Sequence, residues 1–159
     1  MHRRSFVAAI AAGGTAGLAP AARAHHGWSS FDQDRPVYLE GTAEKVSWGN
    51  PHAEVRLRVP GTLALPADLK TRAVPKQSAG LDGARILGAA SLPRRKDAVW
   101  DVELAPISRM QAWQVAEIKA GQPLAVVGYT FTNEQGAAVL RVEYLFVDGK
   151  AYGLRSSPA

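Results

Sequence analysis

Residues 98–131, AVWDVELAPISRMQAWQVAEIKAGQPLAVVGYTF, decide the fold. The segment begins with alternating apolar and acidic residues, which predict a strand whose buried face carries Trp100, Val102 and Leu104. Residues 106–121 then show apolar residues at helical spacing, with proline at the start and glycine at the end. The continuous apolar run 122–131 is typical of a strand buried on both faces. The segment therefore predicts strand, helix, strand.

Three further segments are predicted to be strands, two before this stretch and one after it. Residues 52–59, HAEVRLRV, alternate cleanly, with His52 pointing outward. The alternation in 36–49 changes phase, which predicts a bulge near 41–45. In 137–149, one face is predicted to carry Leu140, Val142, Tyr144 and Phe146, opposite Arg141, Glu143 and Leu145.

The order of three strands, one helix and two strands predicts an all-β protein with one short helix. It is the order of a five-stranded, OB-like Greek-key barrel, β-β-β-α-β-β. A ferredoxin-like fold or a sandwich would need a second helix or more strands. We therefore expect one OB-like domain over 25–154, followed by a C-terminal tail, 155–159.

Residues 61–97 do not fit a compact barrel, because so long a connection is uncommon inside one domain. The segment has no aromatic residue and no apolar periodicity, and it carries seven basic residues against three acidic ones. A basic arm that contacts phosphates is one interpretation. A solvated surface loop is the simpler one, since nothing in the segment can stack on a base. We expect a loop insertion.

Residues 1–24 are predicted to be a signal peptide that is cleaved after Ala24. A basic start precedes small apolar residues, and Ala22-Arg23-Ala24 has the small-x-small pattern of a cleavage site. Glycines and a proline interrupt the apolar run, which disfavours a membrane anchor. Arg3-Arg4-Ser5-Phe6-Val7 is similar to a twin-arginine export signal. The expected location is the periplasm or the medium, with no membrane span after cleavage.

Charge and cysteine content exclude several classes of protein. The chain has 19 Lys+Arg against 14 Asp+Glu, and three of the arginines leave with the leader while no acid does. The mature chain therefore has a net charge of only about +2, which gives no electrostatic case for a nucleic-acid partner. Because the chain has no cysteine, disulfides and thiolate metal sites are excluded.

The histidines predict a metal site at the mature N terminus. Cleavage after Ala24 would make His25 the first residue, and its α-amine and Nδ1 could then chelate one metal ion. His52 is the candidate for a third nitrogen, and His26 is the nearer alternative. Amine and imidazole nitrogens suit Cu(II). The alternative interpretation is an ordinary polar tail, since chain termini are rarely ordered unless they are pinned.

A metal-free binding module is the second hypothesis. OB barrels bind ligands on the face around strands 2 and 3, with the loops at one end. The candidate ligand-binding residues near that end are Trp28, Trp48 and Asn50, although the two tryptophans could instead pack as a lid. The face itself offers mixed charges, which suit an envelope protein or an acidic glycan: Arg56, Arg58, Asp101 and Glu103. No nucleophile or zinc-helix motif is present, so we expect a binding protein and not an enzyme.

Several motifs together resemble a family of small exported bacterial proteins of unknown function. The most specific is Trp48-Gly49-Asn50-Pro51-His52, and the others span most of the chain outside 61–97. They are Ala24-His25-His26 with Phe31-Asp32, Leu39-Glu40-Gly41-Thr42-Ala43, Trp100-Asp101-Val102-Glu103, Lys119-Ala120-Gly121-Gln122, Val127-Gly128 and Asp148-Gly149-Lys150. The resemblance implies an exported OB-like barrel and supplies no activity.

Overall fold

The strands follow the predicted order, and the fold is an all-β, OB-like barrel with a few short helices. The computed structural model describes residues 27–159. The strands are β1 (Val37–Ser47), β2 (Glu54–Arg58), β3 (Val99–Glu103), β4 (Pro123–Tyr129), β5 (Val139–Val147) and β6 (Lys150–Gly153). The helices are α1 (Gly83–Ala89) and α2 (Ile107–Ala112), with 3-10 turns at Trp28–Ser30, Leu69–Thr71 and Thr132–Glu134.

Five strands close the barrel. β1 pairs with β2 and with β4, β2 pairs with β3, and β4 pairs with β5, all antiparallel. A parallel pairing of β3 with β5 closes the ring. The predicted bulge in β1 is confirmed by a register shift between Ala43 and Lys45. β6 was not predicted; it forms a hairpin with the second half of β5.

The barrel core comes from the inward faces that the alternation predicts. On β2, Val55 and Leu57 are fully buried, and Trp100 and Val102 lie opposite them on β3. β4 is buried on both faces, as the continuous apolar run indicates. Apolar area removed from water contributes about 25 cal/mol per Å², so these inward faces are the main source of stability.

The predicted faces of β5 are wrong in its second half. Val127 pairs with Tyr144 and Gly128 pairs with Val142, so Glu143 is an extra residue in a bulge. Beyond the bulge the faces exchange: Leu145 enters the barrel core, and Tyr144 turns outward. A simple alternation cannot reveal this exchange, because both faces of the second half are apolar.

The insertion packs on the outside of the barrel and is not a solvated loop. Leu69, Ile86 and Leu87 are buried there in a second apolar cluster. Their partners are outward-facing residues of the barrel strands: Tyr38, Ala125, Val127 and Tyr144. Asp82 caps α1 by accepting a hydrogen bond from the Arg85 backbone N–H at 2.9 Å. The few apolar residues are scattered over short elements, which is why no periodicity marks them.

Helix α2 is shorter than predicted. The pattern extends to Gly121, but the helix ends at Ala112 and Gln114 has a φ of 52°. This left-handed residue turns the chain, and the Val115 N–H donates to the Met110 carbonyl at 2.9 Å. Gly121 instead lies in the turn before β4, where its N–H donates to the Ala43 carbonyl at 2.7 Å. Met110 is a core residue, as expected.

Candidate functional site

The first described residues cross the end of the barrel where β4 stops and β5 starts. The Phe31 and Phe131 rings stack with centroids 4.9 Å apart. The Asp32 N–H donates to the Thr130 carbonyl at 2.9 Å. These contacts fix the position of the 3-10 turn that carries Trp28, immediately before them in the chain. The site at this end is formed by the residues that surround the Trp28 ring.

Two arginines lie over Trp28. The Arg155 guanidinium carbon is 3.6 Å from the centre of the ring, and that of Arg141 is 5.1 Å away. Tyr129, the last residue of β4, meets the ring edge-on at a centroid distance of 6.3 Å. A cation over an indole contributes about 0.5–2 kcal/mol, more when water is excluded. The 3-10 turn is therefore held to the barrel by charge as well as by apolar contact.

His52 belongs to the same group of residues. Its Nε2 lies 3.1 Å from a terminal nitrogen of Arg141. A guanidinium has no acceptor, so Nε2 accepts this hydrogen bond and a neutral imidazole carries its proton on Nδ1. The other terminal nitrogen of Arg141 donates to Glu103 at 3.0 Å. Arg141 thus joins a histidine, a carboxylate and an indole at one end of the barrel.

Arg155 is held by a buried carboxylate. Its Nε donates to Glu143 at 2.9 Å, and a terminal nitrogen donates to the Gln33 side chain at 2.8 Å. Glu143 is fully buried, and its second oxygen accepts a hydrogen bond from the Gln77 amide at 2.8 Å. The bulge in β5 is what turns Glu143 toward these partners. We call this set the rim cluster: Trp28, His52, Glu103, Tyr129, Arg141, Glu143 and Arg155.

Burial changes the acidity of one member of the rim cluster. The Tyr129 side chain is almost completely removed from water, and this raises its pKa to about 12. The negative charge of Glu143 contributes in the same direction. Tyr129 is therefore a neutral phenol at every physiological pH, and it can act in this site only by packing and by hydrogen bonding.

The structure brings together some of the predicted site residues. Trp28 and His52 meet through Arg141, whereas Trp48 packs against the edge of the barrel core and Asn50 is exposed. His25, His26 and Ala24 lie outside the described residues, so the histidine site stays a prediction. Within residues 27–159, no group of three histidine or acidic side chains could hold a metal ion.

Sequence reasoning missed the arginines of the rim cluster. Arg141 and Glu143 were placed correctly on the outside of β5, but their burial was not predicted. Arg155 falls in the segment predicted to be a tail. Charged residues inside an otherwise apolar strand were the available signal, because such residues are rarely buried unless they are paired.

Two of the four charged residues of the face predicted to bind a partner form ion pairs within the barrel. Arg58 forms an exposed ion pair with Glu44, and Arg56 lies opposite Asp101 in the register of β2 and β3. Glu103 is engaged by Arg141. A concave surface lies elsewhere, next to the β5–β6 hairpin, with a volume of about 480 Å³. Its lining includes Tyr38, Glu40, Arg72, Phe146 and Lys150.

The fold and the rim cluster define a class, an OB-like barrel whose N-terminal turn is bound to one end by arginines. Residues 14–67 match the model of a family of unknown function (DUF6152), in agreement with the resemblance to such a family. The matched region includes Trp28 and His52. No curated protein and no solved structure matches the chain significantly. Among residues 27–159, no helix is long and apolar enough to cross a bilayer.

Proposed function

We propose that the protein is an exported, periplasmic binding protein that holds a copper ion where its mature N terminus meets the rim cluster. The supporting observation is that Arg141 contacts both His52 and Trp28. Covalent geometry limits the distance between the Cα atoms of Trp28 and His25, three residues earlier, to about 11 Å. An N terminus created by cleavage after Ala24 is therefore tethered close to the barrel histidine.

In this proposal the chain supplies three nitrogen ligands, one amine and two imidazoles. His25 offers its α-amine and its Nδ1, and His52 offers a third nitrogen, with His26 as the alternative. His52 can bind through Nε2 only if Arg141 releases it. The ion pair between Arg141 and Glu103 can persist when that hydrogen bond is lost, because a different guanidinium nitrogen makes it. Cu(II) and the Arg141 guanidinium then compete for the same atom, His52 Nε2.

Copper titration by calorimetry tests this proposal. We expect a chain that begins at His25 to bind one Cu(II) ion. Acetylation of the His25 α-amine should weaken binding at least 100-fold, because it removes the amine ligand and with it the chelate ring to Nδ1. His52→Ala should weaken Cu(II) binding about tenfold. The matched variant His26→Ala should have a smaller effect, and a larger effect would identify His26 as the third ligand instead. Equal affinity with and without the acetyl group would contradict the copper site.

The second candidate function is a metal-free module that binds a protein or a glycan. The observation that favours it is the concave surface of about 480 Å³ beside the β5–β6 hairpin. This volume lies within the usual range of small-ligand sites, about 300–1,000 Å³. Phe146 is half-buried there with the Arg72 guanidinium carbon 5.4 Å from the centre of its ring, and Glu40 and Lys150 add charges of both signs.

A glycan array distinguishes the second candidate from the first. Glycan binding that is lost in Phe146→Ala and is unaffected by acetylation of the His25 α-amine would assign the function to this surface. Lys45→Ala, which removes an exposed charge from β1 outside that lining, is the control. A chain that binds copper tightly and no glycan supports the first candidate and excludes the arrayed glycans as ligands of this surface.

A further inference from the structure

Gln77 is a buried polar residue of the insertion, and its side chain contacts the rim cluster directly. Its amide nitrogen donates a hydrogen bond to Glu143 at 2.8 Å, and its amide oxygen accepts one from the Ser156 N–H at 3.0 Å. A buried amide that left either end unbonded would be costly. The two bonds therefore fix the Gln77 side chain between β5 and the C-terminal segment.

The backbone around Gln77 is also fixed to the C-terminal segment. Gln77 forms a bridge with Pro158, and the Ser78 N–H donates to a carbonyl of the same segment at 2.9 Å. A methyl group on Gly153, the last residue of β6, would overlap the Gln77 side chain, so this close approach requires glycine. The insertion thus packs directly against the part of the chain that carries Arg155.

From Glu143, the hydrogen bonds continue to the N-terminal turn. Arg155 donates to the other Glu143 oxygen at 2.9 Å and to the Gln33 side-chain oxygen at 2.8 Å. The Gln33 side-chain nitrogen donates to the Trp28 carbonyl at 3.1 Å. The Arg155 guanidinium carbon also lies 3.6 Å from the centre of the Trp28 ring. A continuous series of hydrogen bonds thus joins Gln77 of the insertion to the 3-10 turn that carries Trp28.

The bonds of this series depend on one another through Glu143. A buried carboxylate is stable only while its oxygens are bonded, and Gln77 supplies the donor for one oxygen while Arg155 supplies the donor for the other. If an acceptor replaced the Gln77 donor, two acceptors would face each other, and the Glu143 carboxylate would have to turn away. Arg155 would then lose the partner that holds it over Trp28.

We propose that Gln77 is a positioning residue for the rim cluster, and that through Glu143 and Arg155 it holds the Trp28 turn against the barrel. The consequence for a metal rests on the proposed copper function. A turn that is held in place keeps His25 near His52, whereas a released turn leaves His25 to bind Cu(II) without the third nitrogen. The insertion is then part of the site as well as of the scaffold.

Hydrogen exchange of the Asp32 amide, measured by NMR on the mature, copper-free protein, tests the positioning. This N–H donates to the Thr130 carbonyl across the end of the barrel, so it exchanges faster when the N-terminal segment is released. Gln77→Glu should speed its exchange about tenfold. The swapped pair, Gln77→Glu with Glu143→Gln, should restore most of the protection, because every donor of the series again faces an acceptor.

Two further variants separate the hydrogen bonds from general stability. Leu87→Ala removes apolar contact from the same insertion but leaves the series intact, so the Asp32 exchange rate should stay within about twofold of the unaltered protein. Gly153→Ala displaces the Gln77 side chain without adding a charge, and its effect should match that of Gln77→Glu. It also replaces Gln77→Glu if that variant fails to fold.

Copper titration of the same variants tests the consequence for the metal. Gln77→Glu should weaken Cu(II) binding about tenfold, as His52→Ala does, because both remove the third nitrogen. In a chain that already carries His52→Ala, Gln77→Glu should have no further effect. Leu87→Ala should leave the Cu(II) affinity unchanged.

Two results would overturn the positioning role. The first is Asp32 exchange that Gln77→Glu and Gly153→Ala leave unchanged, and the second is faster exchange that the swapped pair does not restore. Equal weakening of Cu(II) binding by Gln77→Glu with and without His52 would overturn the route through that histidine. A protein that binds no Cu(II) but shows the expected exchange rates would overturn the copper function and support the positioning of the turn, so the two failures are distinguishable.

Discussion

The two halves of β5 present opposite chemistry to the outside of the barrel. In the first half, the outward residues are Arg141 and Glu143, which are buried in pairs with other charged groups. In the second half, the outward residues are Tyr144 and Phe146, which the insertion covers with apolar side chains. The bulge at Glu143 separates the halves.

The outward faces of the two halves of β5 are stabilised by different interactions. The apolar half gains stability by burial, which is non-directional and tolerates many combinations of side chains. The charged half is stabilised only while each group keeps its partner, because an unpaired buried charge is costly. The apolar residues of the insertion therefore stabilise the scaffold, and the charged half of β5 carries the rim cluster.

The largest expected effect is on the apolar half. Leu87→Ala removes a fully buried side chain of the insertion and should lower the free energy of unfolding by about 2–5 kcal/mol. Leu65→Ala is the control, because Leu65 lies in the same insertion but is 40% exposed, and it should change stability by less than about 0.5 kcal/mol. Urea denaturation measures both. Equal, small effects would mean that the insertion is a solvated loop after all.

A smaller loss is expected on the charged half. Glu143→Gln keeps the shape of the side chain but leaves it a single acceptor oxygen for Gln77 and Arg155. One donor must then face another, which should cost about 1.5–3 kcal/mol. Glu117→Gln breaks only an exposed ion pair with Lys119 and should cost at most about 1 kcal/mol. If the two variants are equally stable, the buried pairs do not hold the rim cluster together.

The smallest effect depends on pH and concerns Tyr129. Its pKa is about 12 in the folded chain, against about 10 in an unfolded one. As pH rises above 10, the unfolded chain ionises first, so the stability that the neutral phenol contributes is lost progressively up to about pH 12. Between pH 8 and pH 11, we expect the free energy of unfolding of the unaltered protein to fall by about 1 kcal/mol more than that of Tyr129→Phe. This figure is reduced from the full linkage value because solvent partly screens the site.

Urea denaturation of the unaltered protein and of Tyr129→Phe at pH 8 and pH 11 measures these changes in the free energy of unfolding. Burial also raises the pKa values of Tyr38 and Tyr144, but both residues are present in both chains, so their contributions cancel. Identical losses in the two chains would show that Tyr129 is open to solvent. The rim cluster would then be looser than its packing indicates.

The positions of most strands along the chain and their inward faces were predictable from one physical rule. A strand that buries one face carries apolar residues at every second position. The prediction failed where a single residue interrupts the regular backbone of a strand or a helix. Glu143 shifts the phase of β5, and Gln114 ends α2 well before the glycine that the pattern favours. A left-handed residue other than glycine leaves little trace in the sequence. A bulge is visible as a change of phase in β1, but in β5 it is hidden because both faces beyond it are apolar.

The site was predictable only in part, for a different reason. Trp28 and His52 were identified by their residue types and their neighbours in sequence. Arg141 lies on β5 and Arg155 follows β6, and their shared location over Trp28 follows from the folding of the barrel. Charge compensation between distant residues is a property of the fold, and no local pattern encodes it.

The last five residues are more than an appendage, although their composition suggests a dispensable end. Pro158 forms a bridge with Gln77, and the Ala159 N–H donates to the Lys76 carbonyl at 3.2 Å. A chain shortened to Leu154 would lose Arg155. Glu143 would then have no cation paired with it, and the Trp28 ring would lose the guanidinium that lies over it. Anyone who trims this protein for crystallisation, or fuses a partner to it, should therefore keep every residue through Ala159.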